Sequence, residues 1–341
     1  MKLSPKKQIR TLRVSSFKLC ARKTMGWAQG DVSSPARVSS MMGALSPQPC
    51  APEPYGTISR LTSIAEERDR VATSMKTHSR VRTWLEIREP LERQLEPLGR
   101  AAMEAIGLSE GHRVLDVGCG VGGTPLALSR RVGPRGQVIG LDVLPDAIDV
   151  LRGDDGNPEN VSFICGDAQT YGFAAGSFDA VFSRFGVMFF DDATEAFRNL
   201  LKALRPGDRL GFVSWRDLSD NELDELPLRA ASPHLPPDLV NSTAASAWFS
   251  FSKAETIRRV LDGAGFSDVE ITSRDEGIGS GSLQDMVAVC SRVGALGAIL
   301  RDHPHLTRKA VRALEDALRE RDGPNGPELM AGVWIVTAKA P

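Results

Sequence analysis

From about residue 113 to residue 215, short apolar runs alternate with stretches whose apolar residues recur every three or four positions. These are the marks of buried strands and of amphipathic helices. The runs predict strands at 114–117, 137–141, 161–165, 178–183 and 209–215, separated by helices at 124–131, 145–151 and 193–204, the last stopped by Pro206-Gly207. Upstream, apolar residues at helical spacing from Ile58 to Ile106 predict two or three helices, with Pro90 and Pro97 marking breaks. Strands joined by helices of this length close into parallel βαβ units.

Beyond Trp215 the rhythm changes. Pro227, Pro233, Pro236 and Pro237 interrupt residues 216–250, leaving room for one short helix at 222–230. Ser252-Lys253-Ala254-Glu255 has the spacing of a capping box opening a helix to Gly263. A strand at 269–273, two helices within 283–321 and a final strand at 333–338 complete the chain. The two last strands are expected to pair as a reversed edge. The fold class predicted is therefore α/β, a doubly wound, Rossmann-like, mostly parallel seven-stranded sheet with a reversed edge strand. Insertions at 216–250 and 275–331 supply a helical cap.

Composition adds boundaries. With 341 residues, 41% apolar and 25% charged, the chain can bury a large core. A formal net charge of −1 gives no field that would draw nucleic acid or an acidic membrane surface. Ten Lys or Arg against two acids in residues 1–60, with much Ser and Pro, predict a disordered basic leader before a domain spanning 61–341. Such a leader also has the composition of an organellar transit peptide, and Met41, Met42 and Met75 are alternative starts. Five scattered cysteines form no ligand cluster, so neither a disulfide framework nor a metal site is expected. No window holds 18 uninterrupted apolar residues, and a membrane span is not expected. These features suggest a cytoplasmic protein, or an organellar one if the leader is a transit peptide. They leave the oligomeric state open.

The chemistry concentrates where the first strand ends. In Asp116-Val117-Gly118-Cys119-Gly120-Val121-Gly122-Gly123 the glycines let the backbone approach a ligand more closely than any Cβ would permit. Asp142 ends the second strand 22 residues after Gly120, the spacing at which a carboxylate accepts hydrogen bonds from ribose hydroxyls. The glycine pattern alone also admits NAD or FAD. Asp116 tips the balance, because a carboxylate there would repel a pyrophosphate but can orient an ammonium group, directly or through water. S-adenosyl-L-methionine (SAM) carries an ammonium and no phosphate. A NAD-dependent oxidoreductase and a non-catalytic SAM-binding protein remain as alternatives on these residues.

Four segments in order strengthen the case. Residues 114–123 resemble the first motif of class I SAM-dependent methyltransferases, and Gly166-Asp167-Ala168-Gln169 resembles their acidic motif after the third strand. Residues 177–186 and 204–210 are similar to segments of the ubiquinone/menaquinone-type small-molecule methyltransferases, and the likeness extends from about residue 84 to the end. The resemblance implies methyl transfer from SAM to a small-molecule acceptor by in-line displacement. It implies that Gly118 and Gly120 line the methionine part, Asp142 holds the ribose, Asp167 with Ala168 meets the adenine edge, and Ser183 sits beside the amino-acid end. Asp116, Cys119 and Val143 complete the cofactor-binding set. Asp208 departs from a family glycine, and a left-handed backbone there would cost a little stability.

No catalytic base and no metal ligand are assigned. His234, His303 and His305 fall in the cap segments, where a surface or structural role is the simpler reading of each. Arg184 can anchor an acidic group or form an ordinary ion pair. Trp215, Trp248, Phe249 and Phe251 can line an apolar pocket or pack the core. After the fourth strand stands Ser183-Arg184-Phe185-Gly186 rather than an Asn-Pro-Pro-Tyr-like segment, which argues against methylation of a flipped base.

Overall fold

The computed structural model describes residues 81–242 and 247–341. The leader and any helix before Val81 lie outside the described residues. Residues 81–86 are helical and end in a turn at Ile87. Then follow α1 (Arg88–Ile106), β1 (Arg113–Val117), α2 (Gly123–Val132), β2 (Gln137–Asp142), α3 (Pro145–Arg152), β3 (Val161–Cys165), β4 (Phe178–Arg184), α4 (Ala193–Ala203) and β5 (Leu204–Trp215). The second half adds α5 (Glu222–Ala231), α6 (Pro237–Asn241), α7 (Ala254–Ala264), β6 (Ser267–Ile278), α8 (Leu283–Cys290), α9 (Gly294–Asp302), α10 (Thr307–Arg319) and β7 (Leu329–Lys339).

The seven strands form one sheet in the order β3-β2-β1-β4-β5-β7-β6. The first five run parallel, and β7 is antiparallel to both β5 and β6. The α/β sheet predicted from the periodicity is thus present, and its reversal lies in β7, one place in from the edge strand β6. Order reverses at β1, whose neighbours are β2 and β4, so the chain leaves β1 and β4 on either side of a crevice at their carboxyl ends.

Several expectations need correction. Pro90 and Pro97 do not break the chain. Pro90 falls in the first turn of α1, where no backbone donor is missed, and the helix continues through Pro97. Leu98, Ala102, Met103 and Ile106 are buried there, on a helix that packs against β5 and β7, and that burial outweighs the one lost bond. Ser252 caps nothing: α7 starts after Lys253 without a side-chain cap, and the Ser252 and Lys253 side chains both bond Asp217. A capping box does exist, between Ser282 and Asp285 at the start of α8. Residues 283–321 hold three helices rather than two, because Gly294 and Pro304 interrupt the apolar pattern.

Strands β6 and β7 are longer than their apolar cores suggested. They pair from Arg274↔Val333 out to Ile278↔Leu329, where Arg274, Asp275 and Glu276 conceal the alternation. Asp208 does not take the left-handed backbone; Gly207 does, at φ 87°. Among the described residues no single helix is long and apolar enough to cross a membrane.

Candidate active site

The main chain builds one end of the site. On leaving β1, the Gly118 and Cys119 amides donate to the Leu141 carbonyl at 2.8 and 3.1 Å, folding the loop over the end of β2. Gly118 has φ 72°, and a Cβ placed on it would lie 2.7 Å from the Gly186 Cα. No side chain fits that contact between the loops after β1 and β4. Asp142, 7% exposed, accepts from the Gly120 amide through Oδ2 at 2.8 Å and from the Leu144 amide through Oδ1 at 3.0 Å. With the Val143 amide as a third donor, the carboxylate keeps about one further lone-pair direction for an outside donor. Burial pushes the Asp142 carboxyl up, and the bonds from Gly120, Leu144 and Val143 oppose that rise. Asp167 Oδ1 accepts from the Gln169 amide at 2.9 Å, and Asn199 Nδ2 donates to the Ala168 carbonyl at 2.9 Å.

Behind this wall lie Asp116 and Ser183, both fully buried. Asp116 Oδ2 accepts from the Thr124 hydroxyl at the start of α2, while its Oδ1 is buried with no hydrogen-bond partner. Burial raises its pKa from 3.8 to about 7, against the lowering effects of the Thr124 bond and of Arg184. Ser183 donates to the Val117 carbonyl at 2.8 Å and accepts from the Gly186 amide at 3.2 Å. It therefore ties β4 to the loop after β1 and does not line the cavity.

A cavity of about 740 Å³ opens on this wall. Gly118, Cys119, Gly120, Asp142, Val143, Asp167 and Ala168 all border it. So do Thr124, Leu144, Gly166, Gln169 and Gly186, which the sequence reading did not assign as cofactor ligands. Gly186 is close only because β1 and β4 are neighbours, a relation that no local spacing announces. The opposite wall is mostly apolar, with Trp84, Leu91, Phe189, Trp215, Leu223 and Trp248 among its residues, and also carries Gln94, Asp224, Arg301 and Asp302. Phe185 stacks on Trp215 with ring centroids 4.0 Å apart and planes at 12°. It does so from φ 64°, a strained backbone for a bulky side chain. Phe251 is instead in the core beside Phe197 and Phe212, and Phe249 is buried outside the lining.

Arg184 is committed to an ion pair. Its two terminal nitrogens donate to the Glu92 carboxylate at 2.9 and 2.6 Å. His234, His303 and His305 are absent from the cavity wall. Among the described residues no group of three or more His, Cys, Asp or Glu could hold a metal ion. The arrangement can therefore hold a nucleoside at a polar rim and a largely apolar molecule beside it.

Residues 114–207 match the family model described as a methyltransferase domain. A relative from Staphylococcus aureus (strain JH9), called demethylmenaquinone methyltransferase, is 29% identical over 190 residues, covering 52% of this chain and 78% of its own. Among solved structures, the [4+2]-cyclase SpnF is 22% identical over 72% of this chain and 80% of its own, with a TM-score of 0.43. Phosphoethanolamine N-methyltransferase 2 of Haemonchus contortus, solved with S-adenosyl-L-methionine, is 19% identical over 72% and 52%, with a TM-score of 0.45.

Proposed function

We propose that this chain, a class I SAM-dependent methyltransferase by its sheet and its matched domain, methylates a small, largely apolar acceptor held against the Phe185–Trp215 stack. One observation carries the reading: a single cavity joins a polar rim built from the ends of β1, β2 and β3 to an aromatic wall. The relatives' name supports a quinone-like class of acceptor.

The cofactor fits the residues present. Gly118, Cys119 and Gly120 border the methionine part. Asp142, with Val143 beside it, offers its carboxylate to a ribose hydroxyl. Asp167 and Ala168 meet the adenine edge. Asp116 acts from behind the wall, through Thr124 and through its unpartnered Oδ1, which suits the neighbourhood of an ammonium. Ser183 keeps the loops after β1 and β4 in register. When bound, SAM supplies a methyl group already activated by its sulfonium charge, so the protein's work is alignment. Orientation of this kind is worth roughly 7 to 11 kcal/mol of barrier in favourable cases. No general base is assigned. A cap made of segment 216–250 and of the expected 275–331 segment, trimmed to 279–328 because its ends belong to β6 and β7, over a cytoplasmic enzyme with no nucleic-acid partner, completes the reading.

Calorimetry of the purified protein tests it. SAM and its demethylated product S-adenosylhomocysteine (SAH) should bind, and NAD should not. Labelled SAM incubated with a small-metabolite extract should then yield a labelled small molecule. Binding of NAD with no uptake of SAM or SAH would overturn the assignment.

A further inference from the structure

Asp224 is out of place among the cap residues. It stands on α5, is 8% exposed, and borders the cavity between Leu223 and Pro227 of its own helix and Val293, Gly294 and Leu296 on and before α9. Burying a carboxylate in such surroundings costs several kcal/mol unless hydrogen bonds compensate. Asp224 has one. Its Oδ1 accepts from the Ala295 amide at 2.8 Å, in the first turn of α9. Among the described residues that amide is the one bond that offsets the effect of burial on its carboxyl, which is held above the usual carboxylate range. The approach is close enough to dictate the sequence: Gly294, at φ 71°, would bring a Cβ to 2.4 Å from Oδ1.

Arg301 and Asp302 border the same cavity at the far end of α9, while two polar side chains nearer Asp224, Gln94 and Cys290, are neutral. Gln94, 2% exposed, donates through Nε2 to Ser280 Oγ at 3.0 Å and to the Met286 sulfur at 3.3 Å. The Cys290 thiol is pushed up to about 12, by burial first and then by the charge of Asp224, so it remains protonated. One oxygen of a carboxylate that borders the cavity thus has no donor among the described residues, and the other charged cap residues on the cavity wall, Arg301 and Asp302, stand at the opposite end of α9.

We propose that Asp224 selects the methyl acceptor, receiving a hydrogen bond from one hydroxyl group on an otherwise apolar molecule and turning away molecules with a carboxylate or phosphate at that point. The proposal rests on the methyltransferase reading of this cavity and adds its specificity. A hydroxyl matches the site because it has a single proton to give and one oxygen is there to take it, whereas an ammonium would bring three. A ligand without the hydroxyl leaves the carboxylate unpaired, and an anionic ligand meets like charge; both outcomes discriminate strongly in a buried site. The simpler alternative is that Asp224 merely fastens α5 to α9.

The two roles separate in Asp224→Asn, which keeps an oxygen for the Ala295 amide and loses the charge. Trp84, Trp215 and Trp248 border the cavity, so tryptophan fluorescence of the SAH-loaded full chain reports binding. The probes are 1-naphthol, naphthalene and 1-naphthoate. Wild type should bind 1-naphthol about tenfold or more tightly than either of the others. D224N should unfold at the same temperature or higher, bind SAH as wild type does by calorimetry, and bring the three probes to similar affinities. Asp224→Ser should erase the preference in the same way. An unchanged ranking in both variants, or no preference for 1-naphthol in wild type, overturns the inference while leaving the methyltransferase reading intact. Failure of wild type to bind SAH overturns both.

Discussion

The two ends of the cavity are made from different parts of the polymer. Toward the cofactor, the wall is mostly main chain leaving β1, β2 and β3; toward the acceptor, it is side chains from the turn after β4, the end of β5, and the cap helices α5, α8 and α9. Main chain holds its shape through glycine conformation and amide bonds, and so it tolerates few changes of residue. A wall of side chains can be re-cut one residue at a time while the sheet beneath it stays put. Binding of the donor should therefore fail through damage to a few loop positions, and choice of acceptor should shift through the cap.

The sharpest break is expected from Gly118→Ala. The left-handed backbone alone costs about 1–3 kcal/mol for a residue with a Cβ, and the added carbon meets Gly186 Cα at 2.7 Å. Thermal unfolding should fall, and SAH binding measured by calorimetry should drop about a hundredfold or more. Asp142→Ala should weaken SAH about 10- to 100-fold, the scale of charge-assisted bonds worth about 1.5–3 kcal/mol, because it also strips the acceptor from the Gly120 and Leu144 amides. Trp215→Leu attacks the other wall: loss of the stack, worth about 0.5–1.5 kcal/mol, should lower acceptor turnover several-fold while SAH affinity stays within about twofold of wild type. If Trp215→Leu weakened SAH as much as Asp142→Ala does, the two walls would not be independent.

Asp116 adds a pH signature to the donor side. Its carboxyl titrates near 7 in the folded chain against 3.8 for the free group. The folded state therefore holds a proton that the unfolded chain has released. The contribution is full below about pH 3.8 and is lost as pH rises through about 7. Asp116→Asn should flatten the decline in unfolding temperature between pH 4 and pH 8. A slope equal to that of wild type would remove Asp116 as its cause. The smallest change is expected from Asp208→Gly, which places the glycine that the resemblance implied yet relieves nothing, since Asp208 has no positive φ. It should leave stability equal or lower by about 0.5–1 kcal/mol through added chain entropy, as urea unfolding would show.

The contrast between the walls also explains what the sequence disclosed. Periodicity located the five parallel strands because the inner ones are buried on both faces, as the run from Val114 to Val117 illustrates, and the edge strand β3 keeps an apolar run although only Phe163 is buried in it. Gly118, Gly120 and Asp142 were legible because a tight turn and a strand-end carboxylate leave fixed spacings. Ser183 was legible only as part of a motif. Its hydroxyl turns inward to Val117, and direction is a matter of tertiary contact. Asp224 gave no signal, since one acid in a short amphipathic helix reads as surface until the helix opposite is known. Pro97 misled because a missing amide bond is a local cost, whereas the burial of α1 that outweighs it is set by strands more than a hundred residues away.

The peptide between Phe185 and Gly186 has a foot in each camp. Gly186 abuts Gly118 on the side proposed for the donor, and Phe185, the preceding residue, stacks on Trp215 on the side proposed for the acceptor. Any shift of one partner is thereby felt by the other without a hinge or a moving lid. The roof of side chains can be re-cut without touching this joint, whereas a change at the joint reaches both walls.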